Sequence, residues 1–279
     1  MTSRRLLVNG VRYHVELRGT PPTAHKPILV LLHGFTGSAA GWGAHLDAFA
    51  ASGLPVIALD LPGHGASDAP ADPARYALER TREDIPAALA QLGVAPGQAV
   101  LLGYSMGGRV ALCAAFSGFL RALVLESASP GLATERERAE RRASDEALAA
   151  RIERAGVPAF VDEWERLPLF ASQAALPADT RAALRAERLR NSPAGLANSL
   201  RSAGTGVQPS LWERLPDLAI PTLLLSGALD AKFTAIAERM AAALPRAGLR
   251  VVPGAGHAIH LEQPSVFDAL VLEFVNDLS

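Results

Sequence analysis

A Gly-x-Ser-x-Gly motif at 103–107 constrains the fold of this chain more than any other feature. An apolar run, 99–102, precedes the motif, and a helix-forming run, 109–116, follows it. This pattern is typical of a sharp strand-to-helix turn, in which the serine at the apex, Ser105, is held in a strained conformation that exposes its hydroxyl. Strand and helix crowd together at such a turn, so Gly103 and Gly107 have to be small. The motif therefore predicts a nucleophilic serine at the edge of a sheet.

Strand and helix patterns alternate on both sides of this motif. Asn9-Gly10 separates two short strand patterns, 6–8 and 11–17, and predicts an antiparallel hairpin. Further strands are predicted at 28–32, 56–59, 99–102, 122–126, 222–226 and 249–252, and helices at 41–51, 78–92, 109–116, 233–244 and 264–277. This alternation predicts an α/β fold with a mostly parallel, eight-stranded sheet, whose sites lie at the carboxyl ends of the strands.

The strand patterns are missing between residue 127 and about residue 216. Charged helical segments replace them at 134–155, 157–166 and 178–190. We interpret residues 127–215 as a helical cap inserted into a core made of 1–126 and 216–279. Such a cap would cover the sheet edge that carries the site.

The composition excludes several classes of function. The net charge of −1 gives no reason to expect nucleic acid or an anionic membrane surface as a partner. No apolar run approaches the length of a membrane-spanning helix, so no stable membrane association is expected. The single cysteine, Cys113, excludes an intramolecular disulfide framework. A cytoplasmic protein that acts on a small molecule is the expectation.

A reactive serine needs a base, and that base needs a carboxylate to orient it. His257 follows the strand at 249–252 through a short loop, and Asp230 follows the strand at 222–226. The order Ser105, Asp230, His257 along the chain is that of α/β-hydrolase triads. The backbone N–H groups of Phe35 and Met106 are the predicted donors of an oxyanion hole.

Other acids and histidines leave alternatives to this triad. Glu126 and Asp60 also end strands, and Glu126 is the second candidate for the acid. His33 and His64 lie on other loops at the sheet edge, where we expect them to hold loop structure. His260 follows His257 by three residues, but no further ligand pattern supports a metal site, and none is predicted.

Arg109 lies one helical turn beyond Ser105, and no acid stands three or four residues from it. An unpaired guanidinium at this position would be strongly destabilising, so we expect Arg109 to have an anionic partner. The alternative is that Arg109 reaches water or a distant acid. Arg141 and Arg190 have an ordinary explanation as helix-surface pairs with Glu137 and Glu187. Two apolar cap residues, Trp164 and Phe170, belong either to the core of the cap or to a pocket beneath it.

Several segments of the chain look familiar beyond the serine motif. The stretches at 103–111, 129–132, 137–145, 170–172, 189–192, 204–211 and 230–233 resemble the 2-succinyl-6-hydroxy-2,4-cyclohexadiene-1-carboxylate (SHCHC) synthase family of menaquinone biosynthesis. The resemblance covers most of the chain, and the cap segments are far more specific than the serine motif. It implies the α/β-hydrolase fold with an inserted helical cap.

The resemblance also implies a reaction and roles for residues. The family are lyases that remove pyruvate from an enolpyruvyl ether carrying several carboxylates, without a cofactor. Carried across by motif, Ser105, Asp230 and His257 form a triad that acts in proton abstraction. Three arginines would hold the substrate carboxylates, and two aromatic residues would line the pocket: Arg109, Arg141, Arg190, Tyr104 and Trp164.

Two other functions remain open at this point. A serine hydrolase, either an esterase or a carbon–carbon bond hydrolase, would use the same triad through an acyl-enzyme. A non-catalytic binding protein could share the fold. The complete triad argues against the binding protein, because binding alone does not need the acid at Asp230.

Overall fold

The computed structural model describes residues 2–20 and 26–278, and a single sheet of eight strands organises them. The strand order is β1-β2-β4-β3-β5-β6-β7-β8. The strands are Thr2–Val8 (β1), Val11–Arg18 (β2), Ile28–Leu32 (β3), Val56–Leu59 (β4), Ala99–Tyr104 (β5), Ala122–Glu126 (β6), Thr222–Gly227 (β7) and Ala247–Val252 (β8). β2 runs antiparallel to both β1 and β4, and the remaining neighbours pair in parallel. The predicted mostly parallel, eight-stranded sheet is confirmed.

The predicted hairpin joins β1 to β2. Asn9 and Gly10 have φ values of 46° and 85°. A two-residue turn with positive φ at both positions matches the twist of the strands that it joins, and Asn-Gly is a preferred sequence for it. The turn therefore sets the register in which Val8 pairs with Val11.

The central strands are buried on both faces, as their unbroken apolar sequences indicate. In β3, Ile28 and Val30 point into one apolar cluster, whereas Leu29 and Leu31 point into another. Helices Leu78–Gln91 (α2) and Met106–Ala115 (α3) cover the first face, and Ala44–Ala51 (α1) covers the second. The sheet thus forms the middle layer of three.

The C-terminal part of the chain adds three helices. Ala231–Ala243 (α7) packs on the face covered by α2 and α3, and Pro264–Asn276 (α9) packs beside α1. The short helix Ile259–Glu262 (α8), which the sequence pattern did not predict, follows β8. None of the helices in the described residues is long and apolar enough to cross a membrane.

Between β6 and β7 the described chain is helical, as expected for a cap. It forms Glu135–Trp164 (α4), Ala178–Leu189 (α5) and Pro193–Ala203 (α6). The two helices predicted at 134–155 and 157–166 are the two halves of α4, which bends at Gly156, where φ is 81°. The helix α6 was not predicted. It buries Leu196 and Leu200 against α4 in an apolar cluster separate from the two sheet clusters. The boundaries of the cap at 127 and 215 stay a prediction.

Candidate active site

Ser105 lies at the turn between β5 and α3 in the strained conformation that the motif predicts. Its φ is 50° and its ψ is −105°, and its N–H donates to the Glu126 carbonyl at 2.9 Å. A Cβ at Gly103 would collide with the backbone of Gly107, and a Cβ at Gly107 would collide with the Leu32 carbonyl. The two glycines are therefore required by the close approach of strand and helix.

The structure brings together the three residues predicted as a triad. The Ser105 hydroxyl donates to His257 Nε2 at 3.0 Å, and His257 Nδ1 donates to Asp230 Oδ2 at 2.7 Å. The other oxygen of Asp230 accepts the N–H of Phe233 at 3.1 Å, which caps α7 and fixes the carboxylate. His257 is 2% exposed, so water cannot compete for its hydrogen bonds. This arrangement can draw the proton from Ser105.

The alternative acids have other partners. Glu126 is fully buried at the end of β6, and both of its carboxylate oxygens accept from His260 Nδ1 at 2.9 Å. Asp60 accepts the N–H groups of Ala39 and Ala66, at 2.5 Å and 2.8 Å, and so holds the loop after β4. Neither acid contacts His257.

Two of the remaining histidines hold loops, in agreement with the expectation. The His33 ring donates from Nδ1 to the Gly34 carbonyl at 2.8 Å and accepts the N–H of Leu61 at Nε2, at 3.0 Å. His64 donates from Nδ1 to the Pro62 carbonyl at 3.0 Å, and burial and then the nearby His33 lower its pKa to about 3. His64 is therefore a neutral, buried side chain.

A cavity of about 940 Å³ opens over Ser105 and His257, between the sheet edge and the cap helices α4 and α6. That volume is of the size that small-molecule sites commonly have. Its wall includes nine of the ten predicted site residues: Phe35, Tyr104, Ser105, Met106, Arg109, Arg141, Trp164, Asp230 and His257.

The two predicted oxyanion donors belong to residues that line the same cavity as Ser105. Met106 is the first residue of α3, and the N–H groups of the first helical turn have no partner within the helix. Phe35 lies on the loop after β3, and its ring packs edge-on against Trp164 of the cap, with 5.4 Å between centroids. The loop that carries Phe35 thus packs against the cap.

Arg109 has no anionic partner in the described residues. Its Nη1 donates to the Ala203 carbonyl at 2.7 Å and to Gln208 Oε1 at 3.0 Å, so neutral groups satisfy part of the guanidinium. Burial and then the charge of Arg141 lower its pKa to about 10, with Asp145 acting in the opposite direction. At neutral pH Arg109 therefore stays charged, and its remaining N–H groups are available to a carboxylate in the cavity.

Arg141 lies on the cap side of the same cavity, but its pairing differs from the expectation. Its Nε donates to Asp145 Oδ1 at 2.7 Å, one turn later on α4. Glu137, the expected partner, instead forms a capping box with Thr134 at the start of the helix. The Arg141 side chain is 44% exposed, which leaves its terminal nitrogens free to bind a substrate.

Arg190 is the one predicted site residue that the structure does not place in the cavity. It is exposed at the end of α5. Glu187, its expected partner, accepts instead from the Ser38 hydroxyl at 2.5 Å. Arg188, two residues earlier, points inward and is 6% exposed. A carboxylate clamp that includes Arg190 is not formed in this arrangement.

Arg188 is the buried arginine that sequence reasoning missed. It donates to Glu165 at 3.1 Å and to Gln173 at 3.2 Å, and its guanidinium lies 5.5 Å from the centroid of Phe170. It lines a second, small cavity of about 60 Å³ that shares Phe35, Trp164 and Phe170 with the large one. The available signal was the position of Arg188 relative to Leu184, since residues four apart share a helix face.

Two aromatic residues, Tyr104 of the core and Trp164 of the cap, line the cavity. Tyr104, just before the nucleophile, lies between His257 and His260, with centroid distances of 5.5 Å and 4.7 Å. Burial and then the charge of Glu126 raise the pKa of Tyr104, so its hydroxyl stays protonated. Trp164 packs against Phe170 at 5.5 Å and lines the cavity from the cap. Tyr104, Trp164 and Phe170 thus line the cavity and also pack against neighbouring aromatic side chains.

The chain is similar to proteins of known family over most of its length. A family model described as "Alpha/beta hydrolase family" matches residues 29–270. The putative SHCHC synthase of Bacillus subtilis (strain 168) is 44% identical over 275 residues, which cover 97% of each chain. The chain belongs to the SHCHC synthase family of α/β hydrolases.

Other members and their structures agree with this family. The SHCHC synthase of Salmonella typhimurium is 39% identical over 259 residues, covering 91% of this chain and 95% of the relative. The solved structure of MenH from S. aureus is similar to this one with a TM-score of 0.89 at 36% identity, covering 95% of this chain and 98% of the MenH chain. An esterase from Thermogutta terrifontis, 24% identical with a TM-score of 0.82, shares the fold alone, over 100% and 99% of the two chains.

Proposed function

We propose that this protein is an SHCHC synthase, a lyase of menaquinone biosynthesis. Its substrate is 2-succinyl-5-enolpyruvyl-6-hydroxy-3-cyclohexene-1-carboxylate, and its products are SHCHC and pyruvate. The family relationship at 44% identity supports this activity. The proposal includes a cytoplasmic location, in keeping with a single buried cysteine that is free.

The bond changes follow from the structures of substrate and product. The ring loses a proton from C2, beside the succinyl ketone, and a double bond forms between C2 and C3. The double bond between C3 and C4 moves to C4 and C5, and the bond from C5 to the enolpyruvyl oxygen breaks. The electron pair leaves with that oxygen, and the released enolate takes up a proton to become pyruvate. The overall elimination consumes no water and needs no oxidant or cofactor.

The triad supplies both proton transfers in this scheme. His257, oriented by Asp230, draws the proton from Ser105, and the activated Ser105 takes the acidic proton from C2. Negative charge then develops on the succinyl carbonyl oxygen, where the N–H groups of Phe35 and Met106 stabilise it. His257 returns its proton to the leaving group, and no covalent intermediate forms.

Arginines on the cavity wall suit a substrate with three carboxylates. The observation that carries the proposal is that Arg109 and Arg141 line the same cavity as the triad and retain unpaired N–H donors. A guanidinium offers a planar, two-point match to a carboxylate. An esterase for uncharged esters has no use for two such cations beside its nucleophile.

A pyruvate assay tests the proposal. The enolpyruvyl substrate is generated in situ, and pyruvate release is followed with lactate dehydrogenase, with Ser105→Ala as the control variant. We expect rapid pyruvate release by the wild-type protein and a loss of about 1,000-fold or more in the variant. Equal release with and without the protein would contradict the lyase.

Isotope labelling separates the lyase from a serine hydrolase, which the triad would also serve. In labelled water, elimination leaves no new oxygen in the cyclic product, whereas hydrolysis incorporates one. A burst of alcohol release from an activated ester, with a trapped acyl group on Ser105, would favour the hydrolase.

A further inference from the structure

Four Lys and Arg side chains line the large cavity, and they fall into two pairs. Arg109 and Arg141 lie on α3 and α4, and their charges are close enough for Arg141 to lower the pKa of Arg109. Lys232 and Arg239 both lie on α7. Residues seven apart lie two turns from each other on one helix face, about 10 Å along the axis. The cavity therefore has a second basic wall that the triad and the arginine pair leave unexplained.

The basic side chains on α7 lack carboxylate partners. In the part of the chain that the structure describes, neither Lys232 nor Arg239 forms an ion pair. Lys232 Nζ lies 5.7 Å from the centroid of Phe233, and the Arg239 guanidinium lies 4.2 Å from the centroid of Trp212. Both contacts are with aromatic faces, which attract a cation without neutralising it.

The acids on the cavity wall are already engaged elsewhere. Glu137 accepts from Thr134 at the start of α4, and Asp230 accepts from His257. No other Asp or Glu lines this cavity in the described residues. In the described residues the two cations on α7 thus have no carboxylate partner, and both are exposed to a space large enough for a ligand.

The wall on α7 is adjacent to the reacting groups. Lys232 follows Asp230 by two residues, and the ring of the next residue, Phe233, packs against His257, with 4.6 Å between centroids. An anion bound by Lys232 would thus lie next to the triad, and Arg239 would extend the site toward Trp212. The aromatic ring of Trp212 is fixed by its Nε1, which donates to the Gly131 carbonyl at 3.0 Å.

We propose that Lys232 and Arg239 form a second carboxylate subsite, distinct from the one at Arg109 and Arg141. The inference rests on the proposed function, since a substrate with three carboxylates needs more than one basic wall. In this arrangement the substrate is held at two separate points, which fixes the ring over Ser105. A carboxylate held on this second wall takes no part in the bond changes, so its binding is shared by ground and transition states and acts mainly on KM.

Kinetics of three variants test the subsite. Lys232→Met and Arg239→Met remove each charge but keep side-chain bulk, and Lys232→Arg keeps the charge. For each methionine variant we expect KM for the enolpyruvyl substrate to rise about tenfold, with kcat changed less than about threefold. Lys232→Arg should restore KM to within about threefold of the wild-type value. Arg250→Met, an exposed change on β8 outside the cavity, is the matched control and should alter neither constant.

A binding measurement keeps this test independent of the lyase activity. Propane-1,2,3-tricarboxylate is titrated by calorimetry into the Ser105→Ala protein, alone and combined with Lys232→Met. We expect the dissociation constant to rise about tenfold when Lys232 is removed. Unchanged KM in both methionine variants, together with unchanged tricarboxylate binding when Lys232 is replaced, would overturn the subsite. Weakened tricarboxylate binding without pyruvate release from the wild type would instead retain the subsite and reject the lyase.

Discussion

The chemistry of Arg109 depends on which of its N–H groups are already used. A guanidinium has five donors, and the two bonds to Ala203 and Gln208 both involve Nη1. These neutral acceptors orient the group without cancelling its charge. Arg109 is therefore a fixed cation with donors to spare, a property that a lysine at the same position would lack.

Replacing Arg109 should reduce catalysis far more than replacing an arginine outside the cavity. Arg151→Ala is the control, because Arg151 is 46% exposed and pairs with Glu163 on the surface of α4. We expect Arg109→Ala to lower kcat/KM by about 10- to 100-fold, the worth of one charge-assisted hydrogen bond. Arg109→Lys should recover little of this. Equal, small losses in the Arg109→Ala and Arg151→Ala variants would contradict a role in substrate binding.

His64 predicts a pH dependence of stability. Its pKa is about 3 in the folded protein, against about 6.5 in an unfolded chain. Between these values the unfolded chain binds a proton that the folded protein does not, so stability is full above pH 6.5 and falls as the pH decreases. In His64→Asn, which keeps a donor for Pro62, the loss between pH 6.5 and 4.5 should shrink by about 2–3 kcal/mol. Urea unfolding at the two pH values measures this loss of unfolding free energy. An equal loss in the wild type and in His64→Asn would contradict the low pKa of His64.

Among the elements, the turn between β5 and α3 tolerates the least change. Ser105 occupies positive φ, and the first turn of α3 approaches β3 so closely that Gly107 faces the Leu32 carbonyl. The strain at Ser105 is maintained by the packing of the elements on either side. Bulk added at this contact would separate the helix from the sheet.

Gly107→Ala should therefore destabilise the protein by about 3 kcal/mol or more, because its Cβ has no space. Gly248→Ala is the matched control: it lies in β8, its Cβ would meet nothing within 4 Å, and we expect a change below about 0.5 kcal/mol. Thermal or urea unfolding of both variants makes the comparison. Similar stabilities for the two would show that the turn is not under this constraint.

The sequence predicted the core elements better than the cap. Strands such as β3 and β6 were predicted at their observed bounds because parallel strands are unbroken apolar runs. The helix α6 was missed although Ser192 caps it and Pro193 begins it, both ordinary start signals. Inward-facing Arg188 was missed because its spacing from Leu184 is a weak signal: the cap helix α5 has only a narrow apolar face, and its orientation depends on docking.

At the scale of the whole molecule, one contact between the cap and the core lies at the loop that carries Phe35. Asn191, between α5 and α6, donates through Nδ2 to the Thr36 carbonyl at 2.8 Å. Thr36 itself has a φ of 71°, which a threonine rarely adopts. This hydrogen bond thus ties the segment between α5 and α6 to the loop that carries the Phe35 N–H. No local sequence pattern could have predicted this contact, because its residues are distant along the chain.

Removing that hydrogen bond should affect turnover more than stability. We expect Asn191→Ala to lower kcat by about tenfold, because the Phe35 donor loses its alignment. Asn198→Ala is the control, since Asn198 bonds the Pro70 carbonyl at 3.2 Å, away from the loop that carries Phe35. Its kcat should stay within about twofold of wild type. Steady-state kinetics measures turnover and unfolding curves measure stability in both variants. Equal losses of kcat in Asn191→Ala and Asn198→Ala would argue against coupling through Thr36.

The placement of all cap helices between β6 and β7 has a consequence during synthesis on the ribosome. The strand β6 is synthesised before the cap. Its edge stays unpaired until α4 to α6 have been made and β7 pairs with it. Open strand edges promote aggregation, so we expect a pause in translation within the cap to increase aggregation of the nascent chain. The serine is made early, whereas Asp230 and His257 come after that gap. A nascent chain that stops inside the cap therefore carries Ser105 without the two residues that we propose activate it.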